Sequence, residues 1–136
     1  MPLIGFSQSN NIWPNLLEKT VENLKYMEDV AVFEIGKVYY IEGGKPVENL
    51  HLSLALSNGS ENPLSELAQI AKSIIPNEFE LNESSFQQTG DGVFHPTRFR
   101  LIDRNGENIG AIAEVHPRVV NKLGSNKRIA ILEIAL

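Results

Sequence analysis

The chain has 136 residues, of which 42% are apolar and 21% charged, the mix of an ordinary globular protein rather than a disordered, collagen-like or membrane-embedded one. Its formal charge of −5 argues against a broad phosphate-neutralising surface, and the absence of cysteine removes disulfides, thiolate metal sites and a cysteine nucleophile. A single domain over residues 1–136 is expected from the length. No apolar run approaches the ~20 residues that span a bilayer, and "MPLIGFSQSNN" lacks the basic-then-apolar pattern of a signal peptide, so a cytoplasmic address is expected.

From Ile12 onward, Trp13, Leu16, Leu17, Val21, Leu24 and Met27 recur at three- and four-residue intervals, which predicts an amphipathic helix with Pro14 near its start. "DVAVFEIGKVYY" reads as a strand, with Gly36 a bulge or a point of close approach. "EGGK" then turns the chain into "LHLSLALSN", where Leu50, Leu52, Leu54 and Leu56 alternate with His51, Ser53 and Ala55, a hairpin pattern. A second helix is expected to start at Pro63, with Leu64, Leu67, Ile70, Ala71, Ile74 and Ile75 on one face, and to stop at Pro76-Asn77. A short strand over Phe79 to Leu81 and a loop follow.

"RFRLID" and "NIGAIAEV" flank Asn105-Gly106, the strongest short-range hairpin signal. "PRVVNKLG" reads as a short helix capped by Gly124, and "RIAILEIAL" as a last strand, central in its sheet. The order predicts an α+β fold, an antiparallel sheet with flanking helices. One shared core is expected from Trp13, Leu16, Leu17, Val32, Ile35, Leu54, Leu67, Ile70, Ile112, Ile131 and Ile134.

His-Pro occurs twice, at His95-Pro96 and His116-Pro117. The residue before proline is pushed into an extended conformation and proline then starts a helix well, so His116 is expected to end a strand and cap a helix, and His95 to lead into the next strand. A metal set of His51, His95 and His116 lacks the one-turn or one-pleat spacing of zinc ligands, and none is expected. Glu34 and Glu133 stand in apolar strands, where an unpaired buried carboxylate is costly, so they are expected to face solvent or to be ion-paired. There is no Gly-x-Ser-x-Gly, Walker-type loop or dinucleotide fingerprint, and "GDG" at Gly90 to Gly92 is too short to cradle a phosphate.

Four ordered segments, "LLEKTVENLKYMEDVAVFEIGKVYY", "FHPTR", "IGAIAEVHPRVVNKLG" and "RIAILEIAL", together resemble the catalytic-core-like domain of the phenylalanyl-tRNA synthetase β chain from about Ile12 to the end. The family carries Phe-Glu-Ile-Gly-Arg/Lys-Val, then Phe-His-Pro-Gly-Arg, then Ile-Gly-x-x-Gly-Glu-x-His-Pro, then a closing acidic-apolar strand. This chain departs from the pattern at Thr97, Phe99 and Ala135. The resemblance implies a class II aminoacyl-tRNA synthetase core-like sheet in a longer β chain.

It also implies a non-catalytic domain that supports the α chain, which activates phenylalanine with ATP and Mg²⁺, and that meets tRNA only indirectly. The other β-chain domains and the α chain would be its partners. In the strand resembling the ATP-gripping second class II motif the chain reads Tyr39-Tyr40 with no arginine, and the strand resembling the third motif is "ILEIAL". No residue is therefore assigned a catalytic, cofactor-binding or metal role. The alternative is a free-standing small enzyme with a site around His95, Arg98, Glu114 and His116, and contact of Arg98 or Arg118 with tRNA is left open.

Overall fold

The computed structural model describes residues 11–82 and 92–136. In chain order the elements are helix α1 (Trp13–Leu24), strands β1 (Val30–Glu42) and β2 (Lys45–Ser57), helix α2 (Pro63–Ile74), strands β3 (Glu80–Asn82), β4 (Phe94–Arg104) and β5 (Glu107–Val115), helix α3 (Pro117–Leu123) and strand β6 (Ala130–Ala135). The strands form one sheet in the order β1-β2-β6-β5-β4-β3, and each neighbouring pair is antiparallel. The architecture is α+β. The closing strand is central, as its continuous apolar run implies.

Local chemistry sets most boundaries. Asn105 and Gly106 both take positive φ, 53° and 80°, the backbone of the tight hairpin turn that matches strand twist. Asn62 caps α2 by accepting the backbone N–H of Ser65 at 3.2 Å, with Pro63 in the first turn. The His116 side chain caps α3 by accepting the Arg118 N–H at 3.1 Å, so His116 both ends β5 and starts the helix. Helix α1 ends at Leu24, and Met27, expected on its stripe, is half exposed beyond it.

The expected strand at Phe79 to Leu81 sits one residue later, at Glu80–Asn82. The loop expected after it, with Gly90 of "GDG", lies outside the described residues. Gly36 holds regular register opposite His51, so it is no bulge; it is a close approach, where a Cβ would lie 3.2 Å from Ile12 Cγ2.

The single core expected from the apolar stripes is a pair of cores, one on each face of the sheet. Trp13, Leu16, Leu17 and Val21 of α1 and Val120 of α3 pack with Ala55, Phe94, Phe99, Ala113 and Ile131. Leu67, Ala68 and Ala71 of α2, with Ile75, pack with Leu54, Ile102, Ile112, Leu132 and Ile134 on the other face. Two expected core members are in neither: Ile35 is 53% exposed and Ile70 39%. The reason is parity. Successive strand residues point to opposite faces, so Val32 and Ile35, or Ile131 and Ile134, cannot share one side.

Candidate functional site

Three polar constellations stand out. The first is at one end of the sheet, where β5 presents Glu114 from the interior. Its carboxylate receives Arg128 Nε at 2.5 Å and Nη2 at 3.1 Å, and Arg98 Nε lies 3.3 Å from Oε2. Arg98 also donates Nη1 to the Glu61 carbonyl at 3.4 Å. A buried acid held by two guanidiniums has its lone pairs engaged by the forks, so Glu114 ties β5 to both arginines. The Glu114 carboxylate holds the Arg128 guanidinium above its already high ordinary pKa.

Beside it, the rings of His95 and His116 stack with centroids 6.2 Å apart. Each uses Nδ1 as a local backbone acceptor, His95 for Thr97 N–H at 3.3 Å and His116 for Arg118 N–H. The four residues named for an enzyme site thus fall into two couples, Arg98 with Glu114 and His95 with His116, and both couples make structural contacts. Arg128 belongs to the cluster and was missed, because fourteen residues and a helix separate it from Glu114.

The second constellation is at the other end of β6. Glu133 Oε2 lies 2.6 Å from His51 Nδ1 in the interior, and its Oε1 accepts the backbone N–H groups of Ile12 and Trp13 at 2.9 Å each. Helix α1 has no side-chain cap of its own at Ile12. A carboxylate from a strand supplies it, satisfying orphan donors where the helix dipole favours negative charge.

Glu133 is therefore buried and partnered, by His51 and by the start of α1, rather than facing solvent. Glu34 is half-buried with Lys19 Nζ 3.7 Å from Oε1. His51 pairs across from Ala135, whereas Glu114, one residue before Val115, pairs across from Ala130. At ~3.3 Å per residue His51 and Glu114 sit roughly 16 Å apart along β6, with His95 and His116 at the Glu114 end and His51 at the other.

The third feature is an open cleft of about 630 Å³ between α2 and β4, with Ser65, Gln69 and Lys72 on one wall and Thr97, Arg98 and Arg100 on the other. Among the described residues, no group of three or more His, Asp or Glu is placed to hold a metal ion, and no helix is long and apolar enough to cross a membrane.

A family model described as the phenylalanyl tRNA synthetase beta chain CLM domain matches residues 9–136. The phenylalanine–tRNA ligase beta subunit of Aeropyrum pernix is 31% identical over 89% of this chain and 22% of its own length. That of Oceanobacillus iheyensis is 33% identical over 82% of this chain and 15% of its own. The chain thus spans less than a quarter of the length of these relatives. Among solved structures, a pyrrolysyl-tRNA synthetase of Desulfitobacterium hafniense superposes with a TM-score of 0.70 at 16% identity, over 98% of this chain and 50% of that one, a likeness of fold.

Proposed function

The chain belongs to the phenylalanyl-tRNA synthetase beta chain CLM domain family, and from that premise we propose that it is a non-catalytic structural and subunit-interaction domain of a longer, cytoplasmic β chain. It supports an α chain that attaches phenylalanine to its tRNA with ATP and Mg²⁺. In this reading residues 1–136 form one domain, it binds no cofactor itself, and it meets tRNA only through its neighbours.

The observation that carries the reading is the covering of β6 on both sides. Ile131 and Glu133 lie under α1, and Leu132 and Ile134 lie under α2. This is the strand that resembles the third class II motif, and its neighbour-but-one β1, which resembles the second, presents Phe33, Ile35, Lys37, Tyr39 and Ile41 outward. Adenylate formation concentrates negative charge on phosphate oxygens, which enzymes offset with preorganised arginines and metal-bound carboxylates. The residues of these two strands do not fit a nucleotide phosphate: neither contains an arginine, and the carboxylate of β6 is already bound to His51 and α1.

The small-enzyme alternative has its carboxylate and arginine paired with each other. The test is phenylalanine-dependent pyrophosphate exchange by the purified chain, alone and with its α chain. Exchange is expected at background without α, together with stable co-purification with α. Exchange without α that disappears in Arg98→Ala overturns the reading in favour of the enzyme.

A further inference from the structure

Strand β4 turns from apolar to cationic along one face. Successive strand residues alternate sides, so Ile102, Arg100 and Arg98 form one row, and Ile102 belongs to the core under α2. Helix α2 rests on β2, β6 and β5, one strand short of β4, which leaves the two guanidiniums as a wall of the open cleft beside it. They stand ~7 Å apart along the strand. The facing wall is the flank of α2 that carries Ser65, Gln69 and Lys72, spaced by four and three residues and so on one side of the helix.

The cleft inverts the charge of the chain. Against a net −5 overall, Arg98, Arg100 and Lys72 line it, and among the described residues no carboxylate does. Glu114, behind Arg98, does not cancel this charge, because one carboxylate is shared between Arg98 and Arg128. It holds the fork still instead. Arg98 Nε lies 3.3 Å from Glu114 Oε2 and Nη1 donates to the Glu61 carbonyl at 3.4 Å, which engages two of the five guanidinium donors. Arg100 is fixed through Nη1 on the Phe99 and Thr97 carbonyls, at 2.8 and 3.3 Å. Lys72 has no ion pair among the described residues.

The chemistry of the walls selects the ligand. Two planar forks and an ammonium outweigh a carboxylate, with its single charge and two oxygens, whereas a phosphate monoester brings a charge of about −1.5 to −2 and three acceptor oxygens. Leu64, Ala68 and Leu81 set apolar surface beside the cations, which free phosphate leaves unused. The volume of about 630 Å³ falls within the roughly 300–1,000 Å³ of small-molecule sites. A single-stranded nucleic acid, by contrast, is held along a cationic track, not by cations gathered in one cleft.

We propose that the cleft between α2 and β4 binds a small phosphate monoester with an apolar body, the phosphate held by Lys72, Arg98 and Arg100 and the body resting on Leu64, Ala68 and Leu81. The site is apart from β1 and β6, whose residues do not fit a nucleotide phosphate, and it does not depend on the subunit reading above.

Isothermal titration calorimetry at low ionic strength tests the site with phenyl phosphate, inorganic phosphate and benzoate as probes. The proteins are the 136-residue chain, the cleft variants Lys72→Ala and Gln69→Glu, and Lys45→Ala, which removes the same charge at the β1–β2 turn. All three positions are exposed, and circular dichroism melting checks that each variant folds. Saturable one-to-one binding of phenyl phosphate is expected in the wild type and Lys45→Ala, weakened about tenfold in each cleft variant, as for the loss of one charge-assisted contact. Inorganic phosphate or benzoate binding as tightly as phenyl phosphate overturns the ester. No saturable binding by the wild type, unchanged binding in both cleft variants, or an equal loss in Lys45→Ala overturns the site. Binding of transfer RNA that Lys72→Ala weakens, with none of phenyl phosphate, overturns the small molecule in favour of a nucleic-acid phosphate.

Discussion

Glu133 and His51, 82 residues apart in sequence, meet at 2.6 Å in the interior, and the same carboxylate anchors the first two backbone N–H groups of α1. One side chain thus ties the central strand to β2 and to the helix that covers it. Glu133→Ala removes a buried partner and a helix cap together and is expected to lower stability by about 3–5 kcal/mol. Glu133→Gln, which keeps one acceptor for the helix, is expected to cost less. Urea unfolding of the two variants gives the comparison, and equal losses would mean that the cap contributes nothing.

The Glu114 cluster makes a graded prediction. Arg98 and Arg128 are each partly open to water while Glu114 is buried, so stability depends most on the acid. Glu114→Ala is expected to cost about 3–5 kcal/mol and Arg98→Ala about 1 kcal/mol or less. Arg128, whose pKa is raised by Glu114, contributes stability present below its unfolded value and lost only in strong base. The gap between wild type and Arg128→Gln is therefore expected to stay flat from about pH 7 to about pH 10, read as the difference in urea midpoint. A gap that closes within that window would show that Arg128 does not act as a fixed cation.

His95 and His116 each accept one backbone N–H through Nδ1. Alanine at His116 is expected to cost about 1 kcal/mol through the lost cap, and alanine at His95 less, with no change in metal content by elemental analysis. Stoichiometric zinc or manganese in chelator-washed wild type, lost in either variant, contradicts the structural role.

At Gly110, β5 leaves no room for a side chain against β6. A Cβ there would collide with the Glu133 carbonyl oxygen and lie 2.8 Å from Ile134 Cα, both backbone and so unable to rotate away. Gly110→Ala is expected to cost about 3 kcal/mol or more, at or beyond the usual range for overpacking. A thermal midpoint within a degree or two of wild type would show that the strands separate at no cost.

The sequence carried the elements better than their assembly. Alternation of Leu50, Leu52, Leu54 and Leu56, Asn105-Gly106, and the Pro117 and Gly124 bounds of α3 are local signals, and each element is where they put it. Glu133 was visible as an acid in an apolar strand and Glu114 only as a member of the alternative enzyme site, and their partners depend on β2 lying beside β6 and on the turn from α3 back to Arg128. Nothing within a few residues of either acid encodes that. The cleft wall of Lys72 and Arg100 likewise exists only once α2 crosses the sheet.

The two-faced core gives the last prediction, because it separates residues that hydrophobicity alone treats as equal. Ile131 is fully buried under α1 among Trp13, Leu16 and Phe99, whereas Ile35 is 53% exposed on the outward row of β1. Ile131→Ala removes methylenes from a packed interior that can only partly collapse and is expected to cost about 2–5 kcal/mol. Ile35→Ala in the isolated chain removes side-chain surface that water already reaches, and is expected to stay within about 0.5 kcal/mol. Leu16→Ala belongs with Ile131, being 1% exposed in the same cluster. Urea midpoints of the three variants are expected to place Leu16 and Ile131 together and Ile35 apart. A cost at Ile35 as large as at Ile131 would mean that the outward row of β1 is covered in the isolated chain.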